Sequence, residues 1–402
     1  MKADIVRLDW TDHNVVELLQ NGADFFPALC DAIDAAQVSV HLETYIFQPD
    51  RTGEQVLRCL EQAARRGVKV RVVIDGFGSA ESVREVQDRV ISAGGYCRIY
   101  RPEPPWYARL IPAPRRLRRL HRKMAVIDSD VAFVGGINLQ DDFDNQDPHD
   151  GKTAPRFDFA VRVRGALIAY AVHAQEVLWI RLTRRLRRHP RDWLRGRLRV
   201  QARPEIANQG NQRAALVLRD NLRYRQTFER AYLYGIQQAK REILIANAYF
   251  FPGHQFRKAL LNAAARGVRV RLLLQGKIEY YLQYYATRSL YDQLLQGGIE
   301  IHEYMPSHLH AKVAVIDDMA TVGSSNLDPF SLLLAREANV VVDDASFAQD
   351  LRRRLEHAIA TGGQLVCVQE YRRRGWWKRC VDAMSYTVLR IGVSLTGQSR
   401  EY

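Results

Sequence analysis

A histidine and a lysine two residues apart can act together on a phosphate: the imidazole attacks phosphorus or moves a proton, and the ammonium offsets the charge on the oxygens. The chain carries this pair twice, as His121-Arg122-Lys123 and His310-Ala311-Lys312. Each pair opens an apolar run closed by an aspartate, Met124 to Asp128 and Val313 to Asp317, so both copies read H-x-K-x4-D. A small-residue turn ending in asparagine follows each: Gly135-Gly136-Ile137-Asn138 and Gly323-Ser324-Ser325-Asn326. The apolar runs read as buried strands, whose alternation places His121 with Lys123, and His310 with Lys312, on shared faces. One such motif would be a weak signal, but two copies 189 residues apart with matching asparagines point to a duplicated phosphoryl-transfer site.

The elements that must carry these motifs repeat as well. In the first half, Val38 to Phe47 reads as a strand, Gly53 to Arg66 as a helix capped by Gly67, and Val68 to Ile74 as a second strand. A helix from Ser82 to Ala93, the pair Gly94-Gly95 and a strand from Tyr96 to Tyr100 complete an α/β alternation. In the second half, Ile245 to Phe251, the helix Phe256 to Arg266, Gly267 to Arg271, Gly297-Gly298 and the strand Ile299 to Tyr304 follow the same order. Beyond each motif, Asp158-Phe159-Ala160-Val161 corresponds to Glu337-Ala338-Asn339-Val340, which offers a carboxylate able to orient an imidazole. Glu43 and Asn247 also occupy matching positions. This organisation predicts a first lobe over 1–182, a basic connector over 183–212, a second lobe over 213–370 and a basic, aromatic tail over 371–402.

The chain has 402 residues and a formal net charge of +14, which favours an anionic partner such as a lipid surface, a nucleic acid or a phosphorylated ligand. The five cysteines are scattered and make no metal or disulfide pattern, and the acidic loop from Asp141 to Asp158 lacks the spacing of a calcium loop, so no metal and no cofactor are expected. No apolar h-region follows Met1, and no uncharged run is long enough to span a bilayer. The segment with Trp106, Tyr107, Arg115, Arg116, Arg118 and Arg119 reads as a surface lip drawn to phosphates. In the tail, Arg372, Arg373, Arg374, Trp376, Trp377, Lys378 and Arg379 precede Val381, Met384, Val388, Ile391 and Leu395 at helical spacing. That stripe suits either a helix in the membrane interface or one packed on its own domain.

The duplicated H-x-K-x4-D with its G-G-x-N or G-S-x-N turn resembles the phospholipase D superfamily. Within it, Glu43-Thr44-Tyr45, Ala246 to Gly253, Val322 to Pro329 and Glu337-Ala338-Asn339-Val340 resemble bacterial cardiolipin synthases of the B type, as does the lack of an N-terminal apolar hairpin. The resemblance runs from about Leu18 to about Ile359. It implies a duplicated phospholipase D-like α/β fold, with two sandwich-type lobes about a pseudo-twofold axis sharing one active site. It further implies His121 as nucleophile and His310 as general acid and then base, with Lys123, Lys312, Asn138 and Asn326 on the phosphoryl oxygens. Asp158 would orient His121 and Glu337 would orient His310, while Asp128 and Asp317 would support structure. The second motif is one residue shorter between Asp317 and Gly323 than the first between Asp128 and Gly135, which predicts a slight displacement of Asn326.

The activity so implied is transfer of a phosphatidyl group from one phosphatidylglycerol to another, releasing glycerol, through a phosphatidyl-histidine. The expected setting is peripheral, on the cytoplasmic face of the inner membrane, with anionic phospholipid as partner and no nucleic acid. The same residues would serve a phospholipase D-type hydrolase or a metal-independent nuclease, and a membrane-binding protein with a degenerate site is a further alternative.

Overall fold

The computed structural model describes residues 8–104, 118–143, 154–186, 210–219, 227–328 and 335–395. Its strands are β1 (Trp10–Gln20), β2 (Ser39–Thr44), β3 (Lys69–Asp75), β4 (Tyr96–Tyr100), β5 (Lys123–Ile127), β6 (Val131–Gly135) and β7 (Phe159–Arg164) in the first half. The second half adds β8 (Gln212–Arg219), β9 (Glu242–Asn247), β10 (Arg269–Gln275), β11 (Glu300–Tyr304), β12 (Lys312–Ile316), β13 (Met319–Gly323), β14 (Glu337–Asp343) and β15 (Gly363–Leu365). They form one sheet in the order β15-β11-β10-β9-β12-β13-β14-β8-β1-β7-β6-β5-β2-β3-β4. Apart from β15, that order is a palindrome of equivalent strands, with the antiparallel β1–β8 pair at its centre. The duplication seen in the sequence is therefore a pseudo-twofold in space.

Strand alternation builds three cores. Met124 and Val126 of β5 face Val313 and Val315 of β12 and Val340 and Val342 of β14 in a core between the lobes. Ala125 and Ile127 turn the other way, onto the outer helices Asn21–Asp34 and Arg51–Arg65. In the second lobe Ala314 and Ile316 likewise meet the helices Thr227–Gln238 and His254–Ala265. The helices Ile168–Leu186 and Ala345–Gly362 contribute Ala171 and Leu351 to the central core. The first of them runs past residue 182, and Gln212 already belongs to β8, so the described part of the lobes extends into the expected connector, whose residues 187–209 lie outside the described residues.

The aspartates that end the two motifs sit at the strand ends remote from the histidines. Asp128 accepts hydrogen bonds from the amides of Gln37, Val38 and Ser39 at 2.7–2.8 Å, and Asp317 accepts them from Lys240, Arg241 and Glu242 at 2.8–3.0 Å. Each carboxylate thus ties the start of β2 or β9 to the end of β5 or β12. The same hairpins absorb the difference in motif length. Ile127 pairs with Val131 around a three-residue turn, whereas Ile316 pairs with Met319 around Asp317-Asp318. The turns lie away from the site, and each asparagine follows its strand-ending glycine by three residues in both copies, so the shorter spacing does not itself displace Asn326.

The tail is part of the second lobe. In the helix Trp376–Leu395, Leu389 is buried in the outer core with Tyr371, and Tyr386 packs beside them. Its opposite face leaves Trp376, Trp377, Met384, Val388 and Ile391 more than half exposed. Trp377, Met384, Val388 and Ile391 of the expected stripe thus lie on the exposed face, and other residues of the same helix pack on the lobe.

Replacing Asp128 or Asp317 by Ala leaves backbone amides without their acceptor. Each substitution should lower unfolding free energy by about 1–3 kcal/mol, read as a shift of the urea midpoint, while the remaining folded protein keeps its activity. Equal loss of activity without loss of stability would place these residues in the chemistry instead.

Candidate active site

Both H-x-K motifs meet at one end of the central core, where short backbone bridges cross between the lobes. Leu120 and Arg336 form a parallel bridge: the His121 amide donates to the Arg336 carbonyl at 3.0 Å and the Arg336 amide to the Arg119 carbonyl at 2.8 Å. The next residues on the two chains are His121 and Glu337. Phe157 and Leu309 form the matching bridge, through Phe157 amide to His308 carbonyl at 3.0 Å and His310 amide to Phe157 carbonyl at 2.8 Å. There the neighbours are Asp158 and His310.

The carboxylates consequently exchange partners. His121 Nδ1 lies 3.0 and 3.1 Å from the two oxygens of Glu337 and 3.2 Å from the Ser324 carbonyl, while His310 Nδ1 lies 2.6 Å from Asp158. The expected pairing of Asp158 with His121 and Glu337 with His310 is thus corrected: each imidazole is held by the other lobe. Acceptors surround Nδ1 of His121, so that nitrogen carries the proton and Nε2 keeps its lone pair.

The paired turns support these carboxylates differently. Gly136 packs against the carboxylate of Asp158, where any side chain would collide with it. At the matching place Ser324 has a hydroxyl, which donates to Glu337 at 2.5 Å and accepts from the Ala338 amide at 3.0 Å. This explains why one turn reads Gly-Gly and the other Gly-Ser. Lys123 and Lys312 are buried, and their ammonium groups donate to the carbonyls of His121 and His310. Asn138 and Asn326 are also buried at the strand ends beside them.

Burial governs the charges here. It brings Lys123 down to about 7 and Lys312 to about 8, and it pushes Asp158 up to about 6. Burial also lowers both histidines, His310 the more strongly because Lys312 and Arg156 add their repulsion; Glu337 partly offsets the effect at His121. Two neutral imidazoles among cations able to release or hold protons near neutrality form a site that gains most when an anion enters.

Several contributors were not evident from the motifs. The Tyr45 ring lies 4.8 Å from the His121 ring and 5.3 Å from the Lys123 ammonium. Glu43, whose role the sequence left open, makes a buried ion pair with Arg122 at 2.5 Å. The strand register corrects the expected match of Glu43 with Asn247: Glu43 pairs with Met124 as Ala246 pairs with Val313, so the second lobe has Ala246 and Ala311 at those places, while Asn247, which matches Thr44, accepts from the Leu327 amide at 3.1 Å. In the strand register Glu43 and Arg122 are both replaced by alanine in the second repeat, Ala246 and Ala311, so the pair is lost together. Arg119 is not on a surface lip: it is buried, ion-paired with Glu103 and 3.6 Å from Asp75, and its guanidinium lies 4.8 Å from the centre of the Phe77 ring. Trp106, Tyr107, Arg115 and Arg116 lie outside the described residues. In the acidic loop, Asp141 pairs with Arg51 and Asp142 accepts from the Gly22 amide, while 144–153 lie outside the described residues.

With that geometry in place, comparison with known proteins is informative. The family profile described as "Cardiolipin synthase, PLD-like domain" matches residues 29–143 and 232–359. The chain belongs to this family. It is therefore an enzyme of the phosphatidyltransferase type with a phospholipase D-like fold. It is 38% identical over 394 residues to proteins named cardiolipin synthase B from Shigella flexneri and from Escherichia coli (strain K12), covering 98% of this chain and 92% of each relative. The crystal structure of a phosphatidylserine synthase from Haemophilus influenzae Rd KW20 shares the fold, with a TM-score of 0.67 at 14% identity over 98% of both chains. Within this cardiolipin synthase family member, the crossed pairs are the feature that makes two repeats into one site.

The buried lysines give a pH signature with a definite sign. An unfolded lysine holds its proton to about 10.5, whereas Lys123 releases it near 7 and Lys312 near 8 in the folded chain. The native state then binds fewer protons over that window, so these groups make stability rise with pH from about 7 towards 10. Thermal unfolding of Lys123→Met should show a smaller rise in midpoint between pH 7 and 9 than the parent chain. An identical rise in both would remove Lys123 as its source.

Proposed function

We propose that this enzyme makes cardiolipin from two phosphatidylglycerol molecules by two displacements at one phosphorus. The observation that carries the reading is the crossed pair of imidazoles, each held at Nδ1 by a carboxylate of the opposite lobe. In the first displacement His121 Nε2 attacks phosphorus, the bond to the headgroup glycerol breaks, and His310 gives its Nε2 proton to the departing oxygen. In the second, His310 takes the proton of a terminal hydroxyl on another phosphatidylglycerol. That oxygen attacks phosphorus, the P–N bond to His121 breaks, and cardiolipin leaves. Splitting the exchange in two lets one imidazole stand in for each alcohol in turn.

Lys123, Lys312, Asn138 and Asn326 hold the phosphoryl oxygens, and Glu337 and Asp158 keep the imidazoles oriented. The anionic phosphate stabilises the protonated forms of Lys123, Lys312 and His310, which burial alone disfavours. Substrate binding therefore charges the site as it fills. The role of His121 as attacking group is supported by the acceptors around its Nδ1, which leave Nε2 nucleophilic.

Purified protein given phosphatidylglycerol in micelles should release glycerol and form cardiolipin, with phosphatidic acid a minor product. His121→Ala and His310→Ala should each lower turnover by about 10³-fold or more, and acid-quenched parent enzyme should carry phosphate on His121. Phosphatidic acid as the main product would make the enzyme a hydrolase, and near-normal turnover in either variant would sink the shared site.

The substrate is a membrane lipid, and the same reading extends to a peripheral position on the cytoplasmic leaflet. Among the described residues no helix is long and apolar enough to cross a membrane. The open face of Trp376–Leu395 suits the interface: it joins Trp376, Trp377, Met384, Val388 and Ile391 to the exposed cations Lys378 and Arg379. The helix packs against Tyr281–Arg288, beside which Ile278, Tyr280, Tyr281 and Leu282 are exposed as well. Replacing Trp376, Trp377 and Ile391 together by Ser should lower binding to phosphatidylglycerol vesicles at high salt by about tenfold or more, with the melting midpoint unchanged. Unaltered vesicle sedimentation would place this face away from lipid.

A further inference from the structure

The pseudo-twofold fails at one place beside the site, and the failure has chemical content. After β3 the chain runs Gly76-Phe77-Gly78-Ser79, and after β10 it runs Gly276-Lys277-Ile278-Glu279. The two glycines are equivalent, each amide donating to the last residue of the neighbouring strand, Tyr100 at 2.9 Å and Tyr304 at 3.1 Å. Ser79 is buried and engaged with backbone: its hydroxyl donates to the Tyr45 carbonyl and accepts from the Phe47 amide. Glu279 is half-exposed, and its carboxylate accepts from the Tyr249 hydroxyl at 2.5 Å.

Tyr249 follows Ala248, whose amide donates to the Ala311 carbonyl at 3.0 Å, so the hydroxyl that holds Glu279 extends from the strand end next to His310. The Tyr280 ring, 5.9 Å from that of Tyr249, closes the outer side. The carboxylate also acts electrostatically on the buried Lys312. A carboxylate repels phosphate, so its placement near Lys312 serves some other part of the substrate. Beyond the phosphorus on the His310 side, each displacement places the headgroup: first the departing glycerol, then the arriving one.

We propose that Glu279, positioned by Tyr249, binds the hydroxyls of the glycerol headgroup and so selects a polyol acceptor over a simple alcohol or water. This rests on the reaction proposed above. One carboxylate oxygen accepts from a free hydroxyl of the glycerol, which leaves the neighbouring terminal hydroxyl directed at His310 Nε2. Because leaving group and acceptor share the subsite, a single residue serves both displacements.

The test lets two acceptors compete for one intermediate, so that effects on its formation cancel. Full-length enzyme in phosphatidylglycerol micelles containing ethanol is scored for the ratio of cardiolipin to phosphatidylethanol. Glu279→Ala should lower that ratio by about tenfold. Glu279→Gln, which keeps an acceptor oxygen for Tyr249 and for a hydroxyl, should fall between it and the parent, with melting midpoints alike in all three. An unchanged ratio in both variants, or equal loss of both products, overturns the assignment. In a parallel arm free ethanolamine replaces ethanol; a greater loss of phosphatidylethanolamine than of cardiolipin in Glu279→Ala would make this an ammonium site and reject the polyol reading. Failure of the parent enzyme to form any cardiolipin would instead strike the underlying reaction.

Discussion

The site depends on two short backbone bridges, Leu120 to Arg336 and Phe157 to Leu309. A parallel bridge sets the residues that follow it side by side, and here those residues are His121 with Glu337 and Asp158 with His310. Neither half-site can therefore be complete in an isolated lobe. The apolar core between β5–β7 and β12–β14 provides the force that keeps the bridges closed, since Met124, Val126, Val313, Val315 and Val340 leave water only when both lobes are present. Packing and catalytic geometry are thus one requirement. A substitution that loosens the interlobe core would misorient both imidazoles before it unfolded either lobe.

The same burial that assembles the site determines its charge. Two lysines, two histidines and Asp158 are removed from water together, and each is less readily charged than it would be at the surface. In the proposed reaction the substrate phosphate supplies the missing negative charge, so affinity for an anion and readiness for proton transfer arise from one cause. Cations already fully solvated would gain far less from the same phosphate.

Much of this was readable in the sequence because it follows from local pattern. The apolar runs after Lys123 and Lys312 became β5 and β12, the predicted strands over 68–74 and 299–304 became β3 and β11 within a residue or so, and the predicted first-lobe helix lies at Arg51–Arg65. Pairing across the lobes was not readable. Order along the chain suggested that each carboxylate serves the histidine of its own repeat, and only the bridge geometry reverses this. Arg119 was misplaced for a related reason: an arginine cluster in sequence says nothing of Asp75 and Glu103, which become its neighbours only through the strand ends of β3 and β4. The tail was ambiguous because one stripe satisfies either a core or a membrane, and the helix Trp376–Leu395 packs on the lobe through Tyr386 and Leu389 while that stripe stays exposed.

Duplication also frames what each lobe is free to change. The residues that meet at phosphorus in the proposed reaction, His121 with His310 and Lys123 with Lys312, are repeated without alteration. Residues that only support them differ by compensated substitution: Gly136 makes room for Asp158 where Ser324 donates to Glu337, and Glu43 with Arg122 gives way to Ala246 with Ala311. Ser79 and Glu279 do not fit that second class, because the serine is used up by backbone while the carboxylate is partly exposed with only a tyrosine hydroxyl as its described hydrogen-bond partner. A reaction with a chemically symmetrical phosphorus still has distinct sides, one for the attacking imidazole and one for the alcohol. An uncompensated difference between otherwise matched strand ends is where a symmetrical fold can encode that distinction.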